Sequence, residues 1–171
     1  TAFCGATEIG QGSDDVLVAC VAEVLGIDPI DIRAVTGDTD LTPVDLGSYS
    51  SRVTLMMGNA AIQAAERARD LLADAVSKKL QRPKDRLVFA DRRVFDAEDP
   101  NAGVSFSEAV CLAETMFGTL GTTGSYTPPR SAARFKGGGV GPSPTYSYTA
   151  AVVEAIVDPS TGWVNVPRVW I

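Results

Sequence analysis

The sequence of 171 residues contains no histidine. Without histidine, the chain alone cannot form a Ser-His-Asp or Cys-His catalytic site, or a histidine-ligated zinc or iron site. Any chemistry of the chain must therefore use carboxylates, hydroxyls, arginine, lysine, backbone amides or a bound cofactor.

Cysteine is also scarce. The three cysteines, Cys4, Cys20 and Cys111, are widely spaced. They match neither a disulfide framework nor the spacing of a zinc or iron–sulfur site. Cys20 and Cys111 fall on apolar faces of predicted helices, which predicts buried thiols, and a reducing, cytoplasmic compartment is expected.

Basic residues are fewer than acidic ones: the chain has 15 Lys and Arg and 21 Asp and Glu, which gives a net charge of −6. This balance argues against nucleic acid as the main partner. No apolar run approaches the roughly 18 residues that span a membrane, so no membrane partner is expected. The hydrophobic fraction of 45% and the charged fraction of 21% are typical of one ordinary globular domain.

Both ends of the sequence lie in strand-like runs without a cap or polar tail. Thr1 opens a β-like run, and Trp170-Ile171 close an apolar one. We expect this to be an internal piece of a longer protein. Sheet edges exposed at such ends would favour self-association of the isolated piece.

Hydrophobic spacing and turn residues predict interleaved strands and helices, hence an α+β fold. Gly26 is a predicted helix-ending glycine, Ser105 with Glu108 forms a capping box, and Asp91-Arg92 is a hairpin turn. Strands are predicted at 1–7, 31–35, 86–90, 93–96, 119–126, 145–158 and 163–170, and helices at 14–25, 53–80 and 105–116.

Three groups of residues have alternative interpretations. Asp38, Asp40 and Asp45 resemble a calcium cluster, but they lack the EF-hand spacing, and turn stabilisation by Asx-type hydrogen bonds is favoured. The second group is basic and lies in the long Gly/Pro-rich loop 128–144. These cations would suit a phosphate or CoA clamp, although a solvated loop is favoured; they are Arg130, Arg134 and Lys136. Trp163 and Trp170 are expected in a core or an interface.

The most informative stretch is Thr7-Glu8-Ile9-Gly10-Gln11-Gly12-Ser13, hereafter the first loop. Glycines let a ligand approach the backbone closely, and an amide between them can donate and accept hydrogen bonds. The helix expected after it would offer free N–H groups to an anion. A plain strand-to-helix turn, with Gln11 satisfying local backbone groups, is the alternative.

A second loop, residues 47–54, has the same character. Gly47-Ser48-Tyr49-Ser50-Ser51-Arg52 is rich in small and hydroxyl residues and leads into the longest predicted helix. Its amides and hydroxyls would suit phosphate or pterin oxygens. The alternative is an N-cap that uses Ser50 or Ser51.

The two loops, with the Gly-Asp-Thr-Asp-x-Thr-Pro stretch between them, resemble the large, molybdenum-binding subunit of the xanthine dehydrogenase (molybdenum hydroxylase) family. The resemblance extends over the whole chain, including Gly58-Asn59-Ala60 and residues 152–171. Within the family it is most similar to 4-hydroxybenzoyl-CoA reductase. It implies that the 171 residues form one partial molybdopterin-binding domain, part of the cofactor-binding region of a larger subunit.

The resemblance also implies the cofactor and its ligands. Molybdopterin cytosine dinucleotide with molybdenum would bind here, with Tyr49 and Ser50 nearest the metal. No catalytic residue and no direct metal ligand would lie in this piece, so the isolated piece would be inactive. The implied cofactor-binding residues are Gly10, Gln11, Gly12, Tyr49, Ser50, Ser51, Arg52, Val53 and Thr54.

The implied reaction is reductive dehydroxylation of 4-hydroxybenzoyl-CoA to benzoyl-CoA in bacterial anaerobic aromatic degradation. Iron–sulfur clusters and FAD would lie on partner subunits, with reduced ferredoxin as electron donor. Two alternatives remain open. One is an oxidative molybdenum hydroxylase of a purine, aldehyde or heterocycle, and the other is a cofactor-free interaction domain.

Overall fold

A computed structural model describes residues 1–129, 145 and 148–171 of the chain. Helices and small sheets alternate along it, which confirms the predicted α+β class. The strands are β1 Ala2–Cys4, β2 Ala34–Thr36, β3 Leu87–Ala90, β4 Arg93–Asp96, β5 Asp99–Ser105, β6 Val152–Val157 and β7 Val164–Trp170; the helices are α1 Ser13–Leu25, α2 Val53–Leu80 and α3 Phe106–Phe117.

The N-terminal part joins β1 and β2 as a parallel pair, with α1 between them along the chain. Helix α1 ends at Gly26, whose φ of 65° is the left-handed conformation that glycine adopts readily. The predicted strand 31–35 begins later, as β2 at Ala34, because Asp31 ends a short 3-10 helix at Pro29–Asp31. A small cluster of buried residues, Ala6, Leu17, Met57 and Ala61, packs α1 against the first half of α2.

Helix α2 spans the residues that its apolar spacing predicts. Gly58 lies in the α1–α2 contact, where an added Cβ would be 3.6 Å from Cys20 Sγ. That is an ordinary contact distance, so the packing at this position does not require glycine.

The second half of α2 packs on the antiparallel sheet β3-β4-β5 and on α3. The large cluster of buried residues lies here; it comprises Leu72, Ala73, Ala75, Val76, Leu87, Phe89, Val94, Val104, Ala109 and Ala113. The predicted hairpin turn is present, with positive φ at Asp91 and Arg92. The Ser105 hydroxyl caps α3 by accepting from Glu108 N at 3.1 Å.

Three local predictions were wrong. Residues 119–126 form no strand; they run along α2, and Gly124 lies so close to it that an added Cβ would be 1.9 Å from the Ala60 carbonyl oxygen. Strand β5 was not predicted, because its Pro100, Asn101 and Gly103 read as a loop. Cys111 is exposed, whereas the prediction buried it.

Strands β6 and β7 form an antiparallel hairpin around the predicted turn at 159–162. Asp158 holds this turn by accepting from Ser160 N at 2.8 Å and from the Thr161 hydroxyl at 2.7 Å. Every residue of both strands is exposed, and so are Trp163 at 74% and Trp170 at 51%. The tryptophans are therefore not core residues of the described chain.

No helix in the described part of the chain is long and apolar enough to cross a membrane.

Candidate functional site

The two loops meet at one backbone carbonyl. The Ser48 hydroxyl donates to the Thr7 carbonyl oxygen at 2.7 Å, across 41 positions of sequence. Gln11 Nε2 donates to the same oxygen at 3.0 Å. The first and second loops, predicted separately, therefore form one continuous surface beside the N-termini of α1 and α2.

A close backbone approach supports this junction. An added Cβ on Gly5 would be 2.0 Å from the Pro43 carbonyl oxygen and 3.0 Å from Asp45 N. Only glycine leaves room for the segment that leads into the second loop to lie so near the end of β1.

The N-terminus of α1 already holds an anion, the carboxylate of Glu8. Glu8 Oε1 accepts from Gly10 N at 2.7 Å and from Gly12 N at 3.0 Å, and Oε2 accepts from Asp14 N at 3.2 Å. These backbone N–H donors, that of Asp14 foremost, lower the pKa of the Glu8 carboxyl from 4.5 to about 2. The expectation that these N–H groups are free for an external anion is therefore wrong.

Gln11 makes the local hydrogen bonds of the alternative interpretation. Its Oε1 accepts from Ile9 N at 2.6 Å, and its Nε2 donates to the Thr7 carbonyl oxygen and to Ser13 Oγ at 2.9 Å. Both N–H donors are engaged, and Oε1 keeps one lone pair. Gln11 is exposed, so its role towards a ligand stays a prediction.

The second loop is not the serine N-cap that its sequence allowed. Helix α2 begins at Val53 with Arg52 as its N-cap residue, and no side chain caps it. Ser50 and Ser51 adopt positive φ of 55° and 51°. Neither helix is capped by the side chain of its own N-cap residue; in α1 the Glu8 carboxylate accepts from Asp14 N, whereas no described side chain accepts from a first-turn N–H of α2.

Arg52 is oriented by two neighbours. Its Nη2 lies 3.9 Å from Asp45 Oδ2, and its guanidinium lies 5.2 Å from the centre of the Tyr49 ring. Tyr49 itself is 55% exposed. The arginine thus contributes a partly balanced positive charge to the loop surface.

Most of the predicted site is open to a ligand. Gly10 and Gly12 have φ of 98° and 79°, and an added Cβ on either would meet nothing within 4 Å. Gly12, Arg52 and Val53 are half-buried. The exposed members of the predicted set are Gly10, Gln11, Tyr49, Ser50, Ser51 and Thr54.

The acidic cluster stabilises turns, as the favoured interpretation predicted. Asp38 Oδ1 accepts from Asp40 N at 3.0 Å, and Asp45 Oδ1 accepts from Gly47 N at 2.7 Å. Within the described ranges, no group of acidic or cysteine side chains is arranged to hold a metal ion. The predicted basic clamp lies outside the described residues, as does almost all of the loop 128–144.

The sequence reasoning missed three residues of this surface: Glu8, Ser48 and Asp14. Asp14 Oδ2 accepts from Thr36 Oγ1 at 3.2 Å, while Oδ1 is buried without a hydrogen-bond partner. For Glu8 a sequence signal was available: it comes shortly before Gly10 and Gly12. A carboxylate at that position can reach the N–H groups of a glycine turn. Ser48 has no such signal, since its partner is 41 positions away.

Comparison with known protein families gives one match along the whole chain. Residues 1–171 match the model of the molybdopterin cofactor-binding domain.

Two curated relatives are similar in sequence. The probable hypoxanthine oxidase XdhD of Escherichia coli (strain K12) is 32% identical over 166 residues, which cover 96% of this chain and 16% of that protein. The gamma subunit of the 6-hydroxypseudooxynicotine dehydrogenase complex of Paenarthrobacter nicotinovorans is 44% identical over 78 residues, covering 43% of this chain and 10% of that protein. The chain thus spans about a sixth of the length of the relative that it matches almost throughout.

Solved structures share the fold over nearly the whole chain. The Cu,Mo-CO dehydrogenase in its carbon monoxide-reduced state aligns with a TM-score of 0.69 and 24% identity, covering 96% of this chain and 20% of that one.

Proposed function

The chain belongs to the molybdopterin cofactor-binding domain family, and we propose that its two loops form one wall of the cofactor site in a molybdenum-dependent oxidoreductase. The observation that carries this proposal is the junction at the Thr7 carbonyl, where the Ser48 hydroxyl joins the second loop to the first and Gln11 bonds to the same oxygen from within the first loop. Two separate ligand-binding loops would not need that junction.

The residues present suit such a cofactor. A pterin is flat and polar, with ring nitrogens and oxygens that need donors and acceptors, and the cofactor also carries phosphate. The loops offer open backbone beside Gly10 and Gly12, exposed hydroxyls at Ser50 and Ser51, and a guanidinium at Arg52. Phosphate suits the second loop, because α2 lacks a side-chain cap.

The predicted residues divide between the two loops. Gly10, Gln11 and Gly12 would lie against the pterin edge, since Glu8 already compensates the positive end of α1. The second-loop group would take the more anionic part of the cofactor; it comprises Tyr49, Ser50, Ser51, Arg52, Val53 and Thr54. When bound, the cofactor supplies two-electron redox chemistry and oxygen-atom exchange with the substrate, which the histidine-free chain cannot supply.

Oxidative hydroxylation of a nitrogen heterocycle is the reaction that we favour for the whole protein. The relative that matches 96% of this chain is named a probable hypoxanthine oxidase, and its identity of 32% is spread over 166 residues. This support comes from similarity, and the described residues would orient the cofactor rather than the substrate.

Reductive dehydroxylation of 4-hydroxybenzoyl-CoA is the second candidate. One feature favours it, the resemblance of Gly47-Ser48-Tyr49-Ser50-Ser51-Arg52 to the corresponding loop of that reductase. Under this candidate the protein would act in aromatic degradation with reduced ferredoxin as donor and an acyl-CoA as substrate.

Further proposals concern the rest of the assembly. We infer a molybdopterin cytosine dinucleotide form of the cofactor, a cytoplasmic location, and partner subunits with iron–sulfur clusters and FAD. The name of the Paenarthrobacter relative, a subunit of a dehydrogenase complex, supports the expectation of partner subunits. Self-association of the isolated piece through the strand edges at its two ends stays a prediction.

The test uses the intact complex purified from its native host. Molybdenum and pterin are measured first, followed by oxidation of hypoxanthine and other heterocycles with an artificial acceptor. Oxidation of a reduced viologen on adding 4-hydroxybenzoyl-CoA is measured in parallel. Oxidative turnover alone supports the first reaction, and substrate-dependent viologen oxidation replaces it with the second. Absence of molybdenum together with silence in both assays would instead favour the cofactor-free interaction domain.

A matched pair of variants then tests the loop assignment. Gln11→Leu removes the amide from the first loop while keeping the size of the side chain. Gln63→Leu makes the same change in the middle of α2, away from both loops. A lower molybdenum content in Gln11→Leu alone supports the assignment, and equal contents in the two variants contradict it.

A further inference from the structure

We propose that Glu8 is a positioning residue that holds the Gly10-Gln11-Gly12 turn in the shape with which it contacts the cofactor. This inference rests on the proposed function above. It assigns a role to a side chain that is itself no cofactor ligand.

The geometry shows a turn braced from one side by a single carboxylate. Glu8 accepts from the N–H groups of Gly10, Gly12 and Asp14, and Ser13 Oγ lies 3.4 Å from its Oε2. Three N–H groups that would otherwise need water or a ligand therefore point at one internal anion. The low pKa of this carboxyl keeps the acceptor charged throughout the physiological range.

The charge of Glu8 is balanced by the backbone rather than by a cation. None of the ion pairs within the described parts of the chain includes Glu8. Its partners are the N–H groups of Gly10 and Gly12 in the turn and that of Asp14 in the first turn of α1, where the helix presents its positive end. Glu8 therefore fixes the direction of the turn relative to the helix.

The turn needs such a brace because, apart from the bonds of Glu8 and Gln11, little restrains it. Gly10 and Gln11 are exposed, and the two glycines adopt positive φ with open space beside them. Glycine loses more conformational freedom on ordering than any other residue, so an unbraced turn of this composition would sample many shapes.

Gln11 braces the same turn from the other side, through Ile9 N and the Thr7 carbonyl. A glutamine that turns towards the cofactor gives up some of these bonds. Glu8 would then be the remaining side chain that bonds to the turn's N–H groups. Ser13 Oγ links the two braces, because it accepts from Gln11 Nε2 and lies beside Glu8 Oε2.

The test compares Glu8→Gln with Glu23→Gln in the intact protein. Glutamine keeps the length of the side chain but replaces one acceptor oxygen by an N–H₂ group that faces N–H donors. Glu23 is an exposed glutamate of the same helix, outside both loops, and is the matched control. Hydrogen exchange of a peptide covering residues 7–17 reports the turn directly in apo-protein.

The second readout is the rate at which molybdopterin leaves the holo-protein on dilution, which a mere helix cap would not change in the folded fraction. We expect Glu8→Gln to speed exchange in residues 9–14 and to release the cofactor about tenfold faster, which is a tenfold larger Kd when the association rate is unchanged. Glu23→Gln should match the wild type in both. The electron paramagnetic resonance signal of molybdenum(V) should also broaden in Glu8→Gln, because the turn beside the pterin would then adopt several conformations.

Three outcomes would overturn the proposal. Faster exchange with wild-type cofactor release and spectrum would reduce Glu8 to a helix cap. Unchanged exchange would show that the turn does not depend on Glu8. Wild-type protein that carries no molybdopterin would reject the proposed function and this inference together, and the exchange data would still show whether Glu8 holds the turn.

Discussion

The two ends of α2 lie in contrasting surroundings. The C-terminal half packs into the large cluster, in which ten buried residues come from α2, α3 and β3-β4-β5. The N-terminal half packs into the small cluster of four buried residues and leads directly from the second loop. The densely packed half therefore acts as the scaffold, and the sparsely packed half carries the candidate site.

Two carboxylates show the same contrast. Asp96, fully buried in the scaffold, accepts from Arg86 Nε and Nη2 and pairs with Arg82 at 3.1 Å. Glu8, on the candidate site, accepts mainly from backbone N–H groups of its own turn. Asp96 joins three segments of the scaffold, whereas Glu8 shapes one loop. The difference indicates that arginine side chains compensate the scaffold carboxylate, whereas backbone N–H groups compensate the site carboxylate.

The largest effect should come from a matched pair of core truncations. Leu72 and Leu17 are both 3% exposed, but Leu72 belongs to the large cluster and Leu17 to the small one. We expect Leu72→Ala to cost about 4 kcal/mol and Leu17→Ala about 2–3 kcal/mol, because a sparsely packed site relaxes more easily. Hydrogen exchange of the α2 amides in the intact protein measures both. Equal losses of free energy of unfolding in the two variants would contradict the distinction between scaffold and site.

A second change tests the junction of the loops. In Gly5→Ala the new methyl group would lie 2.0 Å from the Pro43 carbonyl oxygen. The segment leading to Ser48 would have to move, at a cost of about 1–3 kcal/mol. Cofactor content should fall, whereas Gly121→Ala, where an added Cβ meets nothing within 4 Å, should leave it unchanged. Retention of full cofactor content in Gly5→Ala would contradict the role of this approach.

The third prediction concerns the scaffold carboxylate and pH. The hydrogen bonds from Arg86 lower the pKa of the Asp96 carboxyl below its ordinary 3.8. The Asp96 carboxylate therefore contributes its full share to the free energy of unfolding at pH values above its ordinary pKa of 3.8. That contribution is lost as the pH falls through the lower pKa of the folded state. Asp96→Asn should lower the Tm at pH 7, by less than Gly5→Ala because asparagine keeps one acceptor oxygen.

The pH dependence of that Tm difference provides the check. The Tm curves of wild type and Asp96→Asn should converge as the pH is lowered below 3.8, because the wild-type carboxyl is then losing its charge. Cofactor release measured at pH 7 should be the same in both proteins. A constant Tm difference down to the lowest pH would show that the ion pairs are not its source.

The smallest effect is expected for Ser48→Ala. It removes the hydroxyl that donates to the Thr7 carbonyl, an exposed bond of 2.7 Å that contributes about 0.5–1 kcal/mol. We expect a slightly faster cofactor release and a fall in Tm of no more than about 4 °C. Ser107→Ala, on an exposed position of α3, is the control. A change in Tm without a change in release would assign Ser48 to the scaffold instead.

The elements most predictable from sequence were those with strong local signals. The apolar spacing of residues 53–80 predicted α2 with its observed bounds, and Gly26 and Asp91-Arg92 marked a helix end and a hairpin turn. Such signals depend on residues within one or two turns of each other. Strand β5 was missed because Pro100 and Gly103 suppress the strand signal, although an edge strand tolerates both.

The candidate site was predictable in composition but not in arrangement. Its glycine- and hydroxyl-rich loops were recognisable, and together with the family resemblance they identified the class of cofactor. The hydrogen-bond partners were not predictable in the same way. From the sequence, the Glu8 side chain could equally well have pointed into solvent as towards the N–H groups of the turn. Whether these loop residues bind the cofactor stays a prediction.

The sequence by itself determined the helices, the turns and the absence of histidine chemistry, because each follows from short-range spacing or from composition. Only the tertiary structure decided that Ser48 donates to the Thr7 carbonyl, that Asp96 forms ion pairs with two arginines, and that Cys111 is exposed. Those outcomes depend on which surfaces remain after α1 and α3 have packed on α2. Contacts between distant segments are selected by the total burial and bonding of the folded chain, which no local stretch encodes.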